Sequence, residues 1–489
     1  MSCKKISLSI ATILSLGAVN LSAYEMKPVG FKAVGMGGAG VASNRGSLAT
    51  YYNPALIGIS DYTSEISLNI GVGIRENGLI DTMDQLNNLE LTDSLETVAG
   101  NAPTTGLNGD ASSNIADAID VLNRIPNGNG LQLLPSVSLS GQFSNYFAIG
   151  AYASADVRAK MVIDKNKLNL IVYHEDTNNY YTYDPVADSY SGSTQASYED
   201  KSLEYAIDNG DTYLNVSAMT IAEVPVSFAY PIQRKNGTLS FGITIKPMQV
   251  ETSFIDLAID SESDTLTDDL EQNTKSYSAL GVDLGVAYKE KHTDLTLALV
   301  GKNINKPSFE TQADANGNVE KFEMESFFRA GMSLPIWNDN VELAIDADLQ
   351  QSDTSYEGMK SQYIGGGMEF HPASWFALRA GMMKNIATES IDEGMIYTAG
   401  FGFGLKWLQF DLSAQVSENT GTYDGNDIPK YAVVNFSLIS RWGDGYNRKK
   451  VPQVIENIEN ELEQNTISPE NRERIKRDSE KAFNELDNS

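Results

Sequence analysis

The residues of this chain that could do chemistry are charged side chains at alternate positions of otherwise apolar segments. This spacing singles out Asp156, Arg158, Lys160, Glu323, Glu325, Arg329, Glu342, Asp346 and Asp348. In an extended chain, successive side chains point to opposite faces, so the members of each group share one face. A charge that faces lipid near the middle of a bilayer costs about 2–4 kcal/mol. If these segments cross a membrane, the charged side chains must therefore line a polar lumen.

The composition leaves little material for other kinds of chemistry. The 489 residues include one cysteine and three scattered histidines (His174, His292 and His371), too few for a histidine-based metal centre or a catalytic triad. Since neither a serine–histidine pair nor an acidic dyad can be placed, we expect no enzyme, no catalytic residue, no metal site and no cofactor. The formal net charge of −29 argues against nucleic acid as a partner.

The first residues predict export. Residues 1–23 have the pattern of a secretory signal peptide, with Lys4 and Lys5 before an apolar run and small residues before Tyr24. After residue 23, no window holds the eighteen apolar residues that a membrane helix needs. An exported chain of this kind is either soluble or a β-barrel.

The chain then alternates between apolar and polar residues again and again. In Glu65–Arg75, for example, Ile66, Leu68, Ile70 and Val72 share one face, which is typical of a strand with one apolar side. The pattern recurs to give fourteen segments: Glu65–Arg75, Leu133–Phe143, Phe147–Ile163, Tyr213–Tyr230, Leu239–Phe254, Tyr277–Lys289, Leu295–Lys302, Phe322–Leu334, Val341–Leu349, Tyr363–Phe370, Trp375–Met383, Met395–Leu405, Trp407–Val416 and Tyr431–Trp442. Most are about ten residues long, the length of a tilted transmembrane strand.

The connections between these segments alternate between short and long, with the longest loops at 76–132 and 164–212. Short periplasmic turns, long external loops and an even strand number are typical of outer-membrane barrels. We therefore predict an all-β fold, a transmembrane antiparallel up-and-down β-barrel of about fourteen strands over residues 64–442, with both termini in the periplasm. The count would change if Tyr213–Tyr230 formed two strands. In the competing interpretation, a soluble β-sandwich, Phe401 and Phe403 would be buried under a second sheet.

Two external stretches have helical periodicity. Ile115, Ala118 and Leu122 share one helical face, and Met83 and Leu86 indicate another helix. Two interpretations remain open: a groove that captures a substrate, or a cover over the barrel mouth.

The segment before the first strand resembles a known family. A glycine-rich stretch (residues 35–42) is followed by Tyr52-Asn53-Pro54-Ala55. Together they resemble the start of the FadL-like outer-membrane transport proteins, and more closely that of the conjugal transfer TraF-like outer-membrane proteins. Leu239–Gln249, Val282–Tyr288 and Val300–Phe309 are also similar to the second group.

The resemblance implies a hatch. Residues 24–63 would fold into the lumen and obstruct it, with the following residues as its hatch and gating elements: Gly37, Gly38, Gly40, Tyr52, Asn53, Pro54 and Ala55. FadL-like barrels also interrupt their third strand to open sideways toward lipid. The matching segment here, Phe147–Ile163, carries a row of outward alanines but no proline, so the lateral opening stays an open question.

The end of the chain departs from the FadL-like pattern. Such barrels usually end on their last strand with an aromatic residue, here Trp442, whereas residues 443–489 continue as a charged segment with helical periodicity. We expect a short helical periplasmic tail, which either contacts a periplasmic partner or only aids solubility.

Two functions are compatible with these features. The first is a gated FadL-like channel for hydrophobic or small molecules in the outer membrane of a Gram-negative bacterium. The alternative is an envelope structural barrel, or one associated with secretion or conjugation, without transport activity. The expected partners are outer-membrane lipid and lipopolysaccharide, the barrel-insertion machinery, and a hydrophobic small-molecule ligand. The charged lumen leaves a polar permeant open.

Overall fold

The computed structural model describes residues 25–107, 110–126, 128–258, 274–313, 319–356, 358–405 and 407–442, together with Glu473 and Arg477. The predicted signal peptide and nearly all of the predicted tail lie outside the described residues. Within the described part, every helix is too short or too polar to cross a membrane.

Fourteen antiparallel strands form one closed barrel, as predicted. They are β1 (Ser64–Asn77), β2 (Gly130–Leu133 and Ser136–Ser144), β3 (Phe147–Val162), β4 (Tyr213–Glu223 and Val226–Arg234), β5 (Gly237–Ala258), β6 (Lys275–Glu290), β7 (Thr296–Lys302), β8 (Phe327–Ile336), β9 (Val341–Asp348), β10 (Tyr363–Ala373), β11 (Phe376–Asn385), β12 (Met395–Leu405), β13 (Leu408–Ser417) and β14 (Tyr431–Trp442). Each strand pairs with its neighbours in sequence, and β14 pairs with β1 from Ser64↔Trp442 onward, which closes the barrel.

Two of the fourteen strands are interrupted without losing register. Leu134 and Pro135 separate the two parts of β2, and both parts keep the same pairing offset to β1 and β3. Val224 and Pro225 divide β4 in the same way. The predicted segment Tyr213–Tyr230 is therefore one barrel strand in two parts.

The outer face of the barrel is apolar and uncovered over most of its height. Phe401 and Phe403 are 41% and 48% exposed, and Ile70 and Val72 are 51% and 45% exposed. A second sheet would bury these side chains, so the sandwich interpretation is wrong. An apolar outer band of this kind suits contact with lipid.

The two longest loops carry five helices and a small sheet. The helices are α3 (Leu79–Asn88), α4 (Leu91–Asn101), α5 (Asp110–Arg124), α6 (Gln195–Lys201) and α7 (Leu203–Asp208), and the sheet consists of Ile171–His174, Asn179–Asp184 and Ser189–Gly192. Shorter hairpins are Ser308–Ala313 with Val319–Glu323, Ser352–Asp353 with Lys360–Ser361, and Thr420–Tyr423 with Asn426–Pro429.

These loops pack against the outside of the wall. Val157, Ala159 and Met161 of β3 are buried in one apolar cluster with Leu122 of α5 and Leu86 of α3. The strands β1 to β4 extend beyond the uncovered band, and the helices bury the apolar outer face of that extension. Both predicted helices exist, but they cover this outer face of the wall, which neither sequence interpretation foresaw.

Candidate functional site: a filled lumen and a cavity at the wall

Residues 25–63, here called the luminal segment, fill the inside of the barrel. The segment contains α1 (Phe31–Gly35), α2 (Ala49–Tyr52) and a 3-10 helix (Pro54–Ile59), and nearly all of its side chains from Ala33 to Ser60 are buried. It begins at the long-loop end of the barrel, where both carboxylate oxygens of Glu25 accept hydrogen bonds of 2.9 Å from Arg75 near the end of β1. It ends at Thr63, where β1 starts at the short-turn end.

The glycine-rich stretch sits directly on the wall. Gly37 has a φ of +63°, and a Cβ there would lie 2.3 Å from the carbonyl oxygen of Met382 and 2.4 Å from that of Gly366. Its N–H donates to Thr398 Oγ1 at 2.9 Å. A side chain at this position would push the backbone off the wall, so the glycine permits a close approach of the luminal segment to the strands.

The Asn-Pro-Ala element caps the 3-10 helix and fixes it to the wall. The side-chain oxygen of Asn53 accepts from the N–H of Ala55 at 3.0 Å, and Pro54 starts the helix with its φ already restricted. The Asn53 amide donates across the lumen to the Leu299 carbonyl at 3.3 Å. The hydroxyl of fully buried Tyr52 accepts a hydrogen bond from the N–H of Val29 at 2.7 Å and donates one to the carbonyl of Val29 at 2.8 Å.

Ion pairs hold the luminal segment at the short-turn end. Lys32 lies 2.6 Å from Glu342, and Arg45 lies 3.0 Å from both Glu342 and Asp61. Lys289 of the wall reaches Asp61 at 2.8 Å. These groups surround a space of about 720 Å³, here called the vestibule, which the turns at the short-turn end also line. The vestibule is therefore a strongly charged but internally paired compartment.

The same pairs determine the protonation of the luminal segment. Burial would lower the pKa of Lys32, but Glu342 and Glu369 outweigh it and raise that pKa above its ordinary value. Burial would likewise raise the pKa of Glu25, but Arg75 holds it below its ordinary value. Both groups therefore stay charged at neutral pH and keep their ion pairs.

On β3, the predicted lumen-lining residues point into the barrel. Asp156 pairs with Lys27 of the luminal segment at 2.8 Å. Arg158 is buried, donates to the Asn129 carbonyl at 3.0 Å and stacks its guanidinium 4.6 Å from the ring centre of Tyr356. Lys160 lies on the same face, opposite Asn215 of β4.

On β8 and β9, four predicted residues also lie inside the barrel. Arg329 pairs with Asp348 at 2.5 Å. Asp346 accepts the backbone N–H groups of Gly40 and Val41 at 2.7 and 2.8 Å, and Glu342 holds Lys32 and Arg45. These side chains bind the luminal segment or one another. A lumen open to water would not require such contacts.

Two predicted lumen-lining residues lie elsewhere. Glu323 ends the loop hairpin and Glu325 follows it; both are exposed and pair with Lys306 at 3.4 and 2.6 Å. The alternating pattern of Phe322–Leu334 joined the end of this hairpin to β8, which begins only at Phe327. Because the period-two spacing continues through both strands, the sequence pattern does not indicate the break between the hairpin and β8.

A smaller cavity of about 120 Å³, here called the wall cavity, lies between the luminal segment and the strands β1 to β4 and β14. Its lining includes inward side chains such as Tyr152, Met219 and Glu223. It also includes the half-exposed outer residues Val72 and Val137. The cavity is thus lined from both faces of the sheet.

Prolines weaken the wall on both sides of β3 beside this cavity. The Pro135 carbonyl accepts from Ala155 N at 3.0 Å, and the Pro225 carbonyl accepts from Gly150 N at 2.9 Å. In an antiparallel sheet, the two residues of a hydrogen-bonded pair exchange two hydrogen bonds, and proline has no N–H with which to donate the second one. As the sequence indicated, β3 itself has no proline; the two interruptions lie in its neighbours and face it.

Below the wall cavity lies a buried charge cluster that the sequence analysis did not identify. Lys246 lies 3.2 Å from Asp283 and 3.6 Å from Glu223, and Lys302 lies 3.3 Å from Asp283. Lys302 also donates to the carbonyl of Tyr51 in the luminal segment. Each member occupies an inward position of an alternating strand, the signal that singled out the other luminal charges and could have found these.

The family model described as "F plasmid transfer operon, TraF, protein" matches residues 50–348. The chain belongs to this TraF family. The match covers the last third of the luminal segment and the strands β1 to β9, so it includes the Asn-Pro-Ala element and the part of the wall-cavity lining that β1 to β4 contribute. No curated protein matches the chain.

Several solved structures with a similar fold are described as transporters or channels. The Ralstonia pickettii toluene transporter TbuX is 14% identical, with a TM-score of 0.43 and coverage of 86% of this chain and 100% of TbuX. The CymD monoaromatic hydrocarbon channel is 12% identical, with a TM-score of 0.45 and coverage of 86% and 99%. The P. putida toluene transporter TodX is 12% identical, with a TM-score of 0.42 and the same coverage.

Proposed function

We propose that this TraF-family barrel is a gated channel for small, mainly apolar molecules. The observation that carries the proposal is the wall cavity, which is lined from both faces of the sheet beside two prolines that each remove a hydrogen bond to β3. A molecule enters from the long-loop end, occupies the cavity and leaves sideways through the wall at β3.

The size of the cavity suits a molecule of about one ring. An engineered apolar protein cavity of about 150 Å³ binds benzene, and the wall cavity measures about 120 Å³. Outward Ala151, Ala153 and Ala155 leave the wall thin at this point. A modest separation of β3 from either neighbour therefore joins the cavity to the lipid.

The vestibule argues against an axial exit for the same molecule. Its lining carries Lys32, Arg45, Glu342 and Glu369 in ion pairs, and the luminal segment closes the way to it. An apolar molecule that passed there would displace paired charges without replacing their interactions. In this scheme residues 24–63 act as the hatch, and Gly37 and the Tyr52–Ala55 element seat it.

The orientation follows from the same scheme. The long loops face the cell exterior and meet lipopolysaccharide, and the short turns and the segment 443–489 face the periplasm, where the latter is available to a partner. The barrel-insertion machinery would recognise the aromatic residue Trp442 at the end of β14.

The second candidate is an envelope-assembly barrel without transport, favoured by the plasmid-transfer description of the family model. The two functions differ in whether the wall cavity binds a ligand. An assembly role requires no ligand there, whereas a channel must bind one.

The channel function is tested by comparing ligand binding before and after the wall cavity is filled by a substitution. Ser154 of β3 lines the wall cavity, and no ion pair depends on it. We expect the purified full-length protein to bind toluene or phenol in titration calorimetry, and Ser154→Phe to abolish both by filling the space. Ser191→Phe, on the exposed external sheet, is the matched control and should bind like the original. If the original protein binds neither compound, the channel function fails and the assembly role replaces it.

A further inference from the structure

We propose that the wall cavity selects neutral one-ring molecules that carry a hydrogen-bond donor, such as phenols, and that Glu223 receives the donor. This inference rests on the proposed channel function.

The other carboxylates at the cavity are already saturated by their neighbours. Both oxygens of Glu25 accept from Arg75. Asp156 accepts from Lys27 at 2.8 Å and from the Gln132 amide at 2.5 and 2.6 Å. A donor on a ligand would compete with these short contacts and gain little.

Glu223 is held more loosely. Its carboxylate lies 3.6 Å from Lys246, a distance of electrostatic contact rather than of a hydrogen bond. Lys246 is in turn closer to Asp283, at 3.2 Å. An ionised carboxylate offers about four acceptor positions, so Glu223 keeps capacity for a donor that arrives in the cavity.

The rest of the cavity suits an apolar body. Val29 of the luminal segment, Leu134 of β2, and Met219 and Ile221 of β4 contribute apolar side chains to the lining. A ring packed against them with its hydroxyl toward Glu223 would satisfy both kinds of surface.

The lining of the wall cavity disfavours charged ligands and pure hydrocarbons. A carboxylate ligand would meet Glu25, Asp156 and Glu223, whereas Lys27, the one lysine of the lining, is already engaged. An ammonium ligand would lose its hydration in a mainly apolar cavity, and a single carboxylate that already faces Lys246 would not offset that cost. A pure hydrocarbon would bury the Glu223 carboxylate without a new hydrogen bond, which costs free energy.

The test compares phenol, toluene and benzoate by titration calorimetry on the purified full-length protein in detergent micelles. We expect phenol to bind about tenfold more tightly than toluene, the ratio that one hydrogen bond to a charged group supplies, and benzoate to bind more weakly than either. Glu223→Gln should reduce the phenol-to-toluene ratio about tenfold, because the amide oxygen is a weaker acceptor than the carboxylate and toluene no longer buries a charged group. Glu199→Gln, on an exposed external helix, should change nothing.

Glu223→Asp keeps the charge beside Lys246 if Glu223→Gln does not fold. It withdraws the carboxylate by one methylene group and should also lower the ratio. Equal binding of phenol and toluene to the original protein, tighter binding of benzoate, or an unchanged ratio in the folded Glu223 variants would overturn this proposal and leave the channel standing. Absence of binding by phenol and toluene alike would instead overturn the channel function.

Discussion

The wall cavity and the vestibule both contact the same luminal segment, yet their linings differ in polarity. The wall cavity, of about 120 Å³, has a mainly apolar lining that includes the charged groups Glu25, Lys27, Asp156 and Glu223, and it reaches the thin wall at β3. The vestibule, of about 720 Å³, is bounded by paired cations and carboxylates at the short-turn end. The smaller space suits an apolar molecule, whereas the larger one holds the luminal segment in place.

This difference teaches that charge inside a barrel is not evidence of a polar permeant. Most of the luminal charges bind each other or the luminal segment, as the contacts of Glu342 and Asp346 illustrate. Breaking such a buried pair leaves an uncompensated charge and is strongly unfavourable. In the proposed function, these charges therefore close the axial route and leave the wall as the route for an apolar molecule.

The largest effect should come from separating the luminal segment from the wall. Gly37→Ala would place a Cβ 2.3 Å from the Met382 carbonyl, where only the backbone can yield, and we expect it to open an ion-conducting path between the two compartments. Gly38→Ala is the matched control: its φ of +78° imposes a similar left-handed penalty of about 1–2 kcal/mol, but its Cβ would meet side chains alone, the flexible Met383 sulfur at 3.2 Å and Pro28 Cγ at 3.7 Å. Single-channel conductance in planar bilayers should rise only in Gly37→Ala; equal conductance in both variants would contradict the seating role.

A smaller effect is expected from the ion pairs of the vestibule. Arg45→Met removes contacts with Asp61 and Glu342, but Lys289 and Lys32 remain on these carboxylates, so we expect a loss of about 1–3 kcal/mol in stability. Thermal unfolding followed by circular dichroism measures it. Ligand binding in the wall cavity should not change.

The control for this prediction is a pair on an external helix. Arg124 and Asp120 are about two-thirds exposed, and Arg124→Met should cost about 0.3–0.5 kcal/mol. A loss in Arg45→Met no larger than that of Arg124→Met would mean that the vestibule pairs do not hold the luminal segment.

The smallest effect is a dependence on pH. The pKa of Glu25 is lower in the folded protein than in the unfolded chain, where it is about 4.3. Its contact with Arg75 therefore stabilises the fold fully above that value and is lost as the pH falls through the folded pKa. We expect thermal stability to be flat between about pH 5 and 7 as far as this group is concerned. Below about pH 4, Glu25→Gln should lose less stability than the original protein. If the pH profiles of thermal stability were parallel in the two proteins, the contact between Glu25 and Arg75 would not stabilise the fold.

Much of the barrel could be predicted because its physics is local along each strand. Period-two alternation at Ile66, Leu68 and Ile70 reports one lipid-facing side regardless of which strand lies next to it. The same rule failed at Glu323 and Glu325, because a loop hairpin and a barrel strand share the same period. It also could not distinguish lipid from a helical cover at Val157 and Met161, since both environments are apolar.

By itself, the sequence determined the all-β barrel, its fourteen strands and its family, because strand length, alternation and the Tyr52–Ala55 element are properties of neighbouring residues. Only the tertiary structure decided what the luminal charges do. Lys32 and Glu342 are separated by 310 residues but lie 2.6 Å apart, and Pro135 and Pro225 meet the same strand from opposite sides. Such contacts depend on barrel closure and strand register. These bring together residues whose separation along the chain does not indicate how close they lie in the fold.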